Sequence, residues 1–456
     1  MTCSRYLLPL LLVLPVFAGC GSDKKDDAQK SCSLTGASGC DTGKVCEAVK
    51  GGDPQCFAPV TVTGSVTNAL DKSAIAGAQV VARDANGAAV SSVAVSDSKG
   101  NYSLNVPVER NADGTFAQAD NGVTLRADGL GYLTFPTAPR TALPVDLNAA
   151  SGTTTAIQNA TTAIELIPLD ATGLGTVSGS VTSDKPAGTL VLAGGKTGLA
   201  VRDGKYTVFN VPAGDVEVHG YAPGVNLETK TANVSAGAVT AHVDLGQLSA
   251  ATAAVSGTVQ IVNAGGGATT SVILVLEDTF DEHTARGEAP PGLRAFPVSG
   301  AFSIPNVPDG RYVVLAAFEN DDLVRDPDTS IGGTQIVHVE VSGASIPVSE
   351  GFKVTGALAV NSPGANGSEV VSGTPTFSWA DDSSEDSYSL VVFDALGNSV
   401  WEKSGILGPK GNAPVTAQYG GPALQAGMVY QFRATSIKGG VPISQTEDLK
   451  GVFEYK

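Results

Sequence analysis

Four histidines, six cysteines and three acidic clusters are the residues whose chemistry must be weighed first in this chain of 456 residues. A hydrolytic zinc centre needs histidines that converge on one metal, with a glutamate close by in sequence. His219, His242, His283 and His338 form no HxxE or HExxH pair. Three of them stand in alternating strand-like runs, "DVEVH", "AHVDL" and "VHVEV", on the same side as Asp215 and Glu217, Asp244, and Glu340 respectively. That is the solvated face of a half-buried strand. His283 falls in the loop-like "FDEHTARGEAPPG". The sequence holds no GxSxG nucleophile elbow. "LVLAGGKTG" has Leu190 where a phosphate loop needs its first glycine, so it reads as a turn between two strands. No convergent catalytic set emerges, and the expectation is a protein without enzymatic activity.

Binding chemistry has two candidates. "FENDDLVRDPDTSIGG" (318–333) offers Glu319, Asp321, Asp322, Asp326 and Asp328 in one loop, a composition competent for calcium, the one cofactor considered. The alternative is a solvated acidic loop with Arg325 as its partner. "LEDTFDE" (276–282) adds Glu277, Asp278, Asp281 and Glu282, while "ADDSSED" (380–386) reads as a hydrophilic connection. Glycan recognition wants exposed aromatic faces beside polar groups. Tyr132 in "GLGYLTF" and Tyr221 in "HGYAPG" are the candidates, each weighed against a packing role at a strand end.

The cysteines are crowded at the amino end. Cys32, Cys40, Cys46 and Cys56 lie together and none follows them. In an exported chain this reads as two disulfides stapling a module too small for its own core, with three pairings open. A zinc site would lack both a CxxC pair and a nearby histidine. Before them, "MTCSRYLLPLLLVLPVFAGCGS" has a basic Arg5 and an apolar run from Leu7 to Ala18, too short for the ~20 residues a bilayer needs. Its Phe-Ala-Gly-Cys ending resembles the lipobox of bacterial lipoproteins. That resemblance implies cleavage before Cys20 and lipid on Cys20, with Cys3 leaving in the signal peptide. Gly21 after the cysteine favours the outer membrane, with the periplasmic and exterior faces both open. "GSDKKDDAQK" is then a polar tether.

The formal charge of −17 argues against nucleic acid, which requires clustered Lys and Arg. Short β-branched runs between Gly, Asn, Asp and Pro predict an all-β chain of tandem sandwiches. One phrase recurs: "GNYSLNVP" (100–107), "GKYTVFNVP" (204–212) and "GAFSIPNVP" (300–308). Upstream of each stands V-[ST]-G-[ST]-V, at 62–66, 177–181 and 255–259. Gly100, Gly204 and Gly300 are expected to take positive φ at a turn, the alternating residues to enter a core, and the prolines to end pairing. The extra residue between aromatic and proline in the second and third copies predicts a bulge or a longer corner. "GRYVVLAAF", continuously apolar, predicts a deeply buried strand.

Residues 62–107, with the V-T-G-x-V opening, "IAGAQV", the Asn86-Gly87 turn and D-x-x-G-N-Y-S-L, resemble a carboxypeptidase regulatory-like domain. The resemblance implies a transthyretin-like β-sandwich, Ig-like in general form, that accompanies catalytic domains or recurs alone on bacterial surfaces. Its superfamily is also described as carbohydrate-binding-like, an analogy of fold rather than of site. The second and third units are similar through the opening strand and the repeated phrase. The last segment, with "PTFSW", "YSLVVF" and L-x-x-G-x-x-Y-x-F-R, resembles a fibronectin type III domain. That implies a core Trp379 and a tyrosine corner from Leu424 and Tyr430.

The expected order is signal peptide 1–19, lipidated Cys20 and tether 20–31, disulfide module 32–56, sandwiches 57–170, 171–250 and 251–361, and a fibronectin-like domain 362–456 at the distal end. The expected function is a non-catalytic, lipid-anchored envelope protein serving spacing, adhesion or organisation. Glycan binding and calcium-dependent adhesion are the alternatives. Its partners would be the membrane through the lipid, and envelope polysaccharide or other envelope proteins.

Overall fold

The computed structural model describes all residues except 1–31, 35–38, 118–121, 138–139, 151–155, 283–284, 317–321, 326–335, 350, 383 and 410–412. Cys20 therefore lies outside the described residues, as do Glu319, Asp321, Asp326 and Asp328. The described chain is all-β, with three short 3-10 turns and no α-helix, and none of its helices is long and apolar enough to cross a membrane. The amino-terminal module is a hairpin of Val45–Val49 and Gly52–Phe57. Disulfides join Cys32 to Cys46 and Cys40 to Cys56. Cys46 and Cys56 stand opposite one another in the hairpin, yet each bonds to a cysteine outside it.

The repeated phrase forms the strands Asn101–Val106, Lys205–Pro212 and Ala301–Val307. Each pairs antiparallel with the V-[ST]-G-[ST]-V strand of its own unit: Val60–Asn68, Leu174–Thr182 and Ala253–Val262. The registers align Gly64 with Tyr102, Gly179 with Tyr206 and Gly257 with Phe302. This explains the glycine. The aromatic ring crosses over it, and in the first two units its hydroxyl donates to a carbonyl beyond: Tyr102 to Thr162 at 2.7 Å, Tyr206 to Val243. Burial pushes both phenols above their ordinary pKa, so the hydroxyl proton stays on as donor. Phe302 has no hydroxyl, so the third unit lacks this tie. Replacing Tyr102 with Phe strands the Thr162 carbonyl and is expected to cost about 1–2 kcal/mol, read as a lower urea midpoint by circular dichroism.

Two of the three turn glycines behave as expected: Gly100 and Gly204 have φ of 78° and 84°. Gly300 does not share the left-handed conformation and has open space around it, so its turn would accept a side chain. The predicted bulges are present. In the second unit the pairing passes from Val177–Val208 to Gly175–Val211, and in the third from Val255–Ile304 to Ala253–Val307. The first unit pairs without a break.

Sandwich one has two four-stranded sheets, built on Val60–Asn68 and on Gln79–Arg83 with Gly122–Asp128. In the second unit one nine-stranded sheet runs from Lys196–Leu199 to Lys205–Pro212. It curls until these end strands meet, leaving the Gly198 Cα too close to the Thr207 carbonyl for any side chain. Within it Gly194 and Gly195, at φ 55° and 73°, turn Leu190–Ala193 into Lys196–Leu199, the hairpin expected of "LVLAGGKTG". In the third unit Thr270–Leu276 and Gly310–Ala316 pair with almost every residue buried. Their alternate residues enter two different clusters: Val272, Leu274, Tyr312 and Val314 face the sandwich core, while Ile273, Val275, Val313 and Leu315 form a second with Ala88 of the first sandwich. The C-terminal sandwich buries Trp379 fully, and the Tyr430 hydroxyl accepts the Gln425 amide at 2.9 Å, the expected tyrosine corner.

The units do not form a line with the last one distal. The C-terminal sandwich packs against the first: Arg140 donates to the Leu396 carbonyl at 2.7 Å and the Thr141 amide to Gly397 at 3.1 Å. Leu143 shares an apolar cluster with Ala395, Val429 and Val452. That joint is mixed: beside the apolar cluster the Arg433 guanidinium, held below its ordinary pKa by burial, bonds Asp448 at 3.0 Å and reaches the Thr141 hydroxyl at 3.3 Å.

Candidate functional site

The residues nominated for chemistry are mostly engaged with neighbours. His219 is half-buried beside Glu217 and Thr229, and His338 bonds Glu277 on an exposed strand face. His242 is exposed but sits between the strands Val239–Thr240 and Leu245–Ala250, at φ 62°, rather than within one; the expected alternation holds all the same, His242 and Asp244 outward and Val243 and Leu245 buried. His283 is outside the described residues. Asp278 pairs with Arg311. Of the proposed calcium ligands only Asp322 is described; it has φ 66° and its amide donates to Glu447 at 2.7 Å. The sulfurs of Cys32, Cys40 and Cys56 lie within 4.8 Å of one another because the two disulfides are adjacent.

The two tyrosines proposed for glycan contact are both at contacts between sandwiches. Tyr221 is 6% exposed, its ring edge-on to Tyr312 of the third sandwich at 5.9 Å and its phenol pushed up to about 12, chiefly by burial. A sugar needs a bare aromatic face, and the third sandwich covers this one. Tyr132 is half-buried, and its carbonyl accepts from Asn210 of the second sandwich.

The buried ionic groups converge on these joints. Glu288 of the third sandwich meets Arg83 and Arg126 of the first, the latter at 2.5 Å. Arg126 also pairs with Asp128 at 2.7 Å and donates to Thr197 of the second sandwich at 2.9 Å. Burial alone would lower the Arg126 pKa, but Asp128 and Glu288 more than offset it and hold it up. Burial likewise works to raise Glu288, and the two guanidinium groups overcome it and hold the carboxyl below its ordinary 4.5. Arg294 to Asp84 and Ser271 to Asn86 complete the contact between first and third sandwiches. Glu288→Gln is expected to weaken this joint by about 2–3 kcal/mol, since Arg126 would stay buried with half its counter-charge gone. A depressed carboxyl stabilises the fold above its unfolded pKa, so the same joint should loosen in wild type as pH falls below about 4.5, through the folded pKa. Hydrogen exchange in 79–83 measured against pH, in wild type and variant, reads both.

At the amino end Arg110, in the loop after Asn101–Val106, fixes the disulfide module. It donates to Glu47 at 2.6 Å, to the Gly114 carbonyl and to the Ala58 carbonyl, and lies between the rings of Phe57 and Phe116 at 5.0 and 4.9 Å. Glu47 is 1% exposed, and its Oε1 has no partner. Burial raises its pKa in spite of Arg110.

The C-terminal sandwich carries a groove of about 270 Å³ walled by Val400, Tyr419, Leu424, Met428 and Tyr430. Trp401, half-buried beside Tyr419 at 5.1 Å, is the aromatic that sequence reasoning overlooked; its place in "SVWEK", between apolar and charged residues, was the available signal. The tyrosine hydroxyls are engaged with the backbone at Pro422 and Gln425, and Asp394 with Asn398.

No family model matches the sequence, and no curated protein matches it either. Solved structures similar to it include the Bacillus anthracis TIE protein, 10% identical over 94% of this chain and 73% of that one, with a TM-score of 0.16. A DUF3823 family protein from Bacteroides ovatus is 10% identical over 45% of this chain and all of its own, with a TM-score of 0.20. The streptococcal ancillary pilin is 10% identical over 65% and 98%, with a TM-score of 0.17. These are distant matches to bacterial proteins, pilins among them, and they carry no correspondence of residues.

Proposed function

We propose that the chain is a non-catalytic cell-envelope scaffold, held at a membrane by lipid on Cys20 and acting in structure, adhesion or the organisation of envelope components. The observation that carries this reading is where the buried charges lie: Arg83, Arg126 and Glu288 join sandwiches, and Arg110 with Glu47 joins the module, rather than lining a reaction centre. Such contacts tie several modules together, which suits a surface that presents itself to partners. Two disulfides at the amino end accord with an oxidising compartment.

The test is retention of the chain from residue 31 onward on envelope polysaccharide and on envelope extracts, with calcium and then with chelator. Retention by envelope proteins supports the scaffold. Saturable retention on polysaccharide supports glycan binding instead, and its loss in chelator brings in calcium and the 318–333 loop. Turnover of any envelope polymer during the incubation would overturn the non-catalytic reading.

A further inference from the structure

The three copies of the repeated phrase end in the same tripeptide, Asn-Val-Pro, at 105–107, 210–212 and 306–308. What differs is one residue before it: the first copy has none, the second has Phe209 and the third Pro305. In the first copy Asn105 pairs in the strand opposite Thr61, is exposed, and bonds only the Thr61 hydroxyl at 3.1 Å. In the other two the added residue creates a bulge, and the asparagine becomes its second member, at φ 58° for Asn210 and 59° for Asn306. Asparagine tolerates this left-handed conformation better than other side chains.

We infer that the inserted residue turns the shared asparagine from a strand position into a docking element for the sandwich that precedes it. Asn210 is 6% exposed, and all its side-chain bonds cross to the first sandwich. Its Nδ2 donates to the carbonyls of Gly129 and Tyr132 at 3.0 and 2.9 Å, and its Oδ1 accepts the Gly131 amide at 2.9 Å. Asn306 repeats the device with its backbone: its carbonyl accepts the Gly224 amide of the second sandwich at 2.8 Å. The two receiving turns are equivalent. Residues 129–132 follow the strand Gly122–Asp128, Gly224 follows Gly214–Ala222, and these strands hold matching places beside Gln79–Arg83 and Leu190–Ala193. The first copy has the disulfide module before it instead of a sandwich. There the spacing is shorter and Arg110 does the docking.

Glycine separates the two halves of this inference, because it keeps the left-handed backbone and deletes the side chain. In the full chain from residue 31, Asn210→Gly is expected to speed amide exchange at Gly131 at least about tenfold, as its acceptor disappears. Asn306→Gly is expected to leave exchange at Gly224 unchanged, because the acceptor there is a carbonyl. Circular dichroism confirms that each variant is folded. Deleting Phe209, which restores the first-copy spacing, should expose the same Gly131 amide. Unchanged exchange at Gly131 in Asn210→Gly would overturn the inference. So would equal loss in both glycine variants, since the bulge would then need asparagine for its own fold alone.

Discussion

Arg110→Met should release the disulfide module from the first sandwich while leaving both disulfides intact. The module has little core of its own: among its described residues Val49, Cys56, Phe57 and Glu47 are buried, and Glu47 is charged. Without the guanidinium, a carboxylate at 1% exposure would keep only its backbone bond at Val108 and no counter-charge, a change that typically costs about 3–5 kcal/mol. Undocking is the cheaper course, so protease should clip 57–60 in the variant and spare it in wild type. Arg110→Met with Glu47→Leu should restore resistance, because the charge and its partner leave together. Resistance unchanged in the single variant would mean that the backbone contacts, Lys50 to Arg110 and Arg110 to Ala48, hold the module unaided. Acid gives a second check. Because the folded Glu47 carboxyl is raised above 4.5, the native state binds its proton first, and docking strengthens as pH falls through that raised value. Glu288 moves the opposite way, its contribution fading below the ordinary carboxylate value. Mild acid should therefore open the joint between sandwiches one and three before it frees the module.

Gly64→Ala and Gly179→Ala are expected to be the most damaging single-methyl changes in the chain. A Cβ at Gly64 would lie 1.9 Å from the Thr162 carbonyl and 2.7 Å from the Tyr102 hydroxyl; at Gly179 it would lie 2.1 Å from the Val243 carbonyl. A backbone carbonyl this close, held in turn by the tyrosine hydroxyl, cannot retreat without breaking that bond, and about 3 kcal/mol or more is expected for each. Gly257→Ala should cost less, because its nearest obstacles at 2.8–2.9 Å are ring atoms of Phe302, which can tilt. Urea midpoints by circular dichroism should rank the three in that order. Equal midpoints for all would show that the hydroxyl-to-carbonyl crossing is not what requires glycine. Both tryptophans lie in the C-terminal sandwich, so its fluorescence transition should stay in place as the dichroism transition moves.

Much of this fold was legible in local sequence. Hairpin turns such as Gly194-Gly195, the strand pairings marked by V-[ST]-G-[ST]-V and the bulges follow from neighbours within a few dozen residues, whereas buried Trp379 and the tyrosine corner follow from the resemblance to a fibronectin type III domain. What escaped was set by residues far apart. Tyr221 reads as a strand-end aromatic because nothing nearby says that Tyr312 of another sandwich covers it. Arg126 and Glu288 stand 162 residues apart, and Glu47 and Arg110 stand 63 apart; in sequence each is one charge among many. The pairing of four clustered cysteines cannot be settled from their spacing, since all three arrangements close short loops. Gly300 shows the reverse error, a glycine with a turn context and no conformational need.

The contact between first and last sandwiches also sets how this body would carry force. A pull between the amino end and the C-terminal sandwich loads Arg140, Thr141 and the Leu143 cluster directly. The load path is thus short: module, first sandwich, last sandwich. The second and third sandwiches lie beside it, the third tied to the first through Glu288 and to the last through Glu447, and they are spared until these contacts shear. Their length then becomes reserve, extended one sandwich at a time, and the molecule would act as a clasp before it acted as a cord.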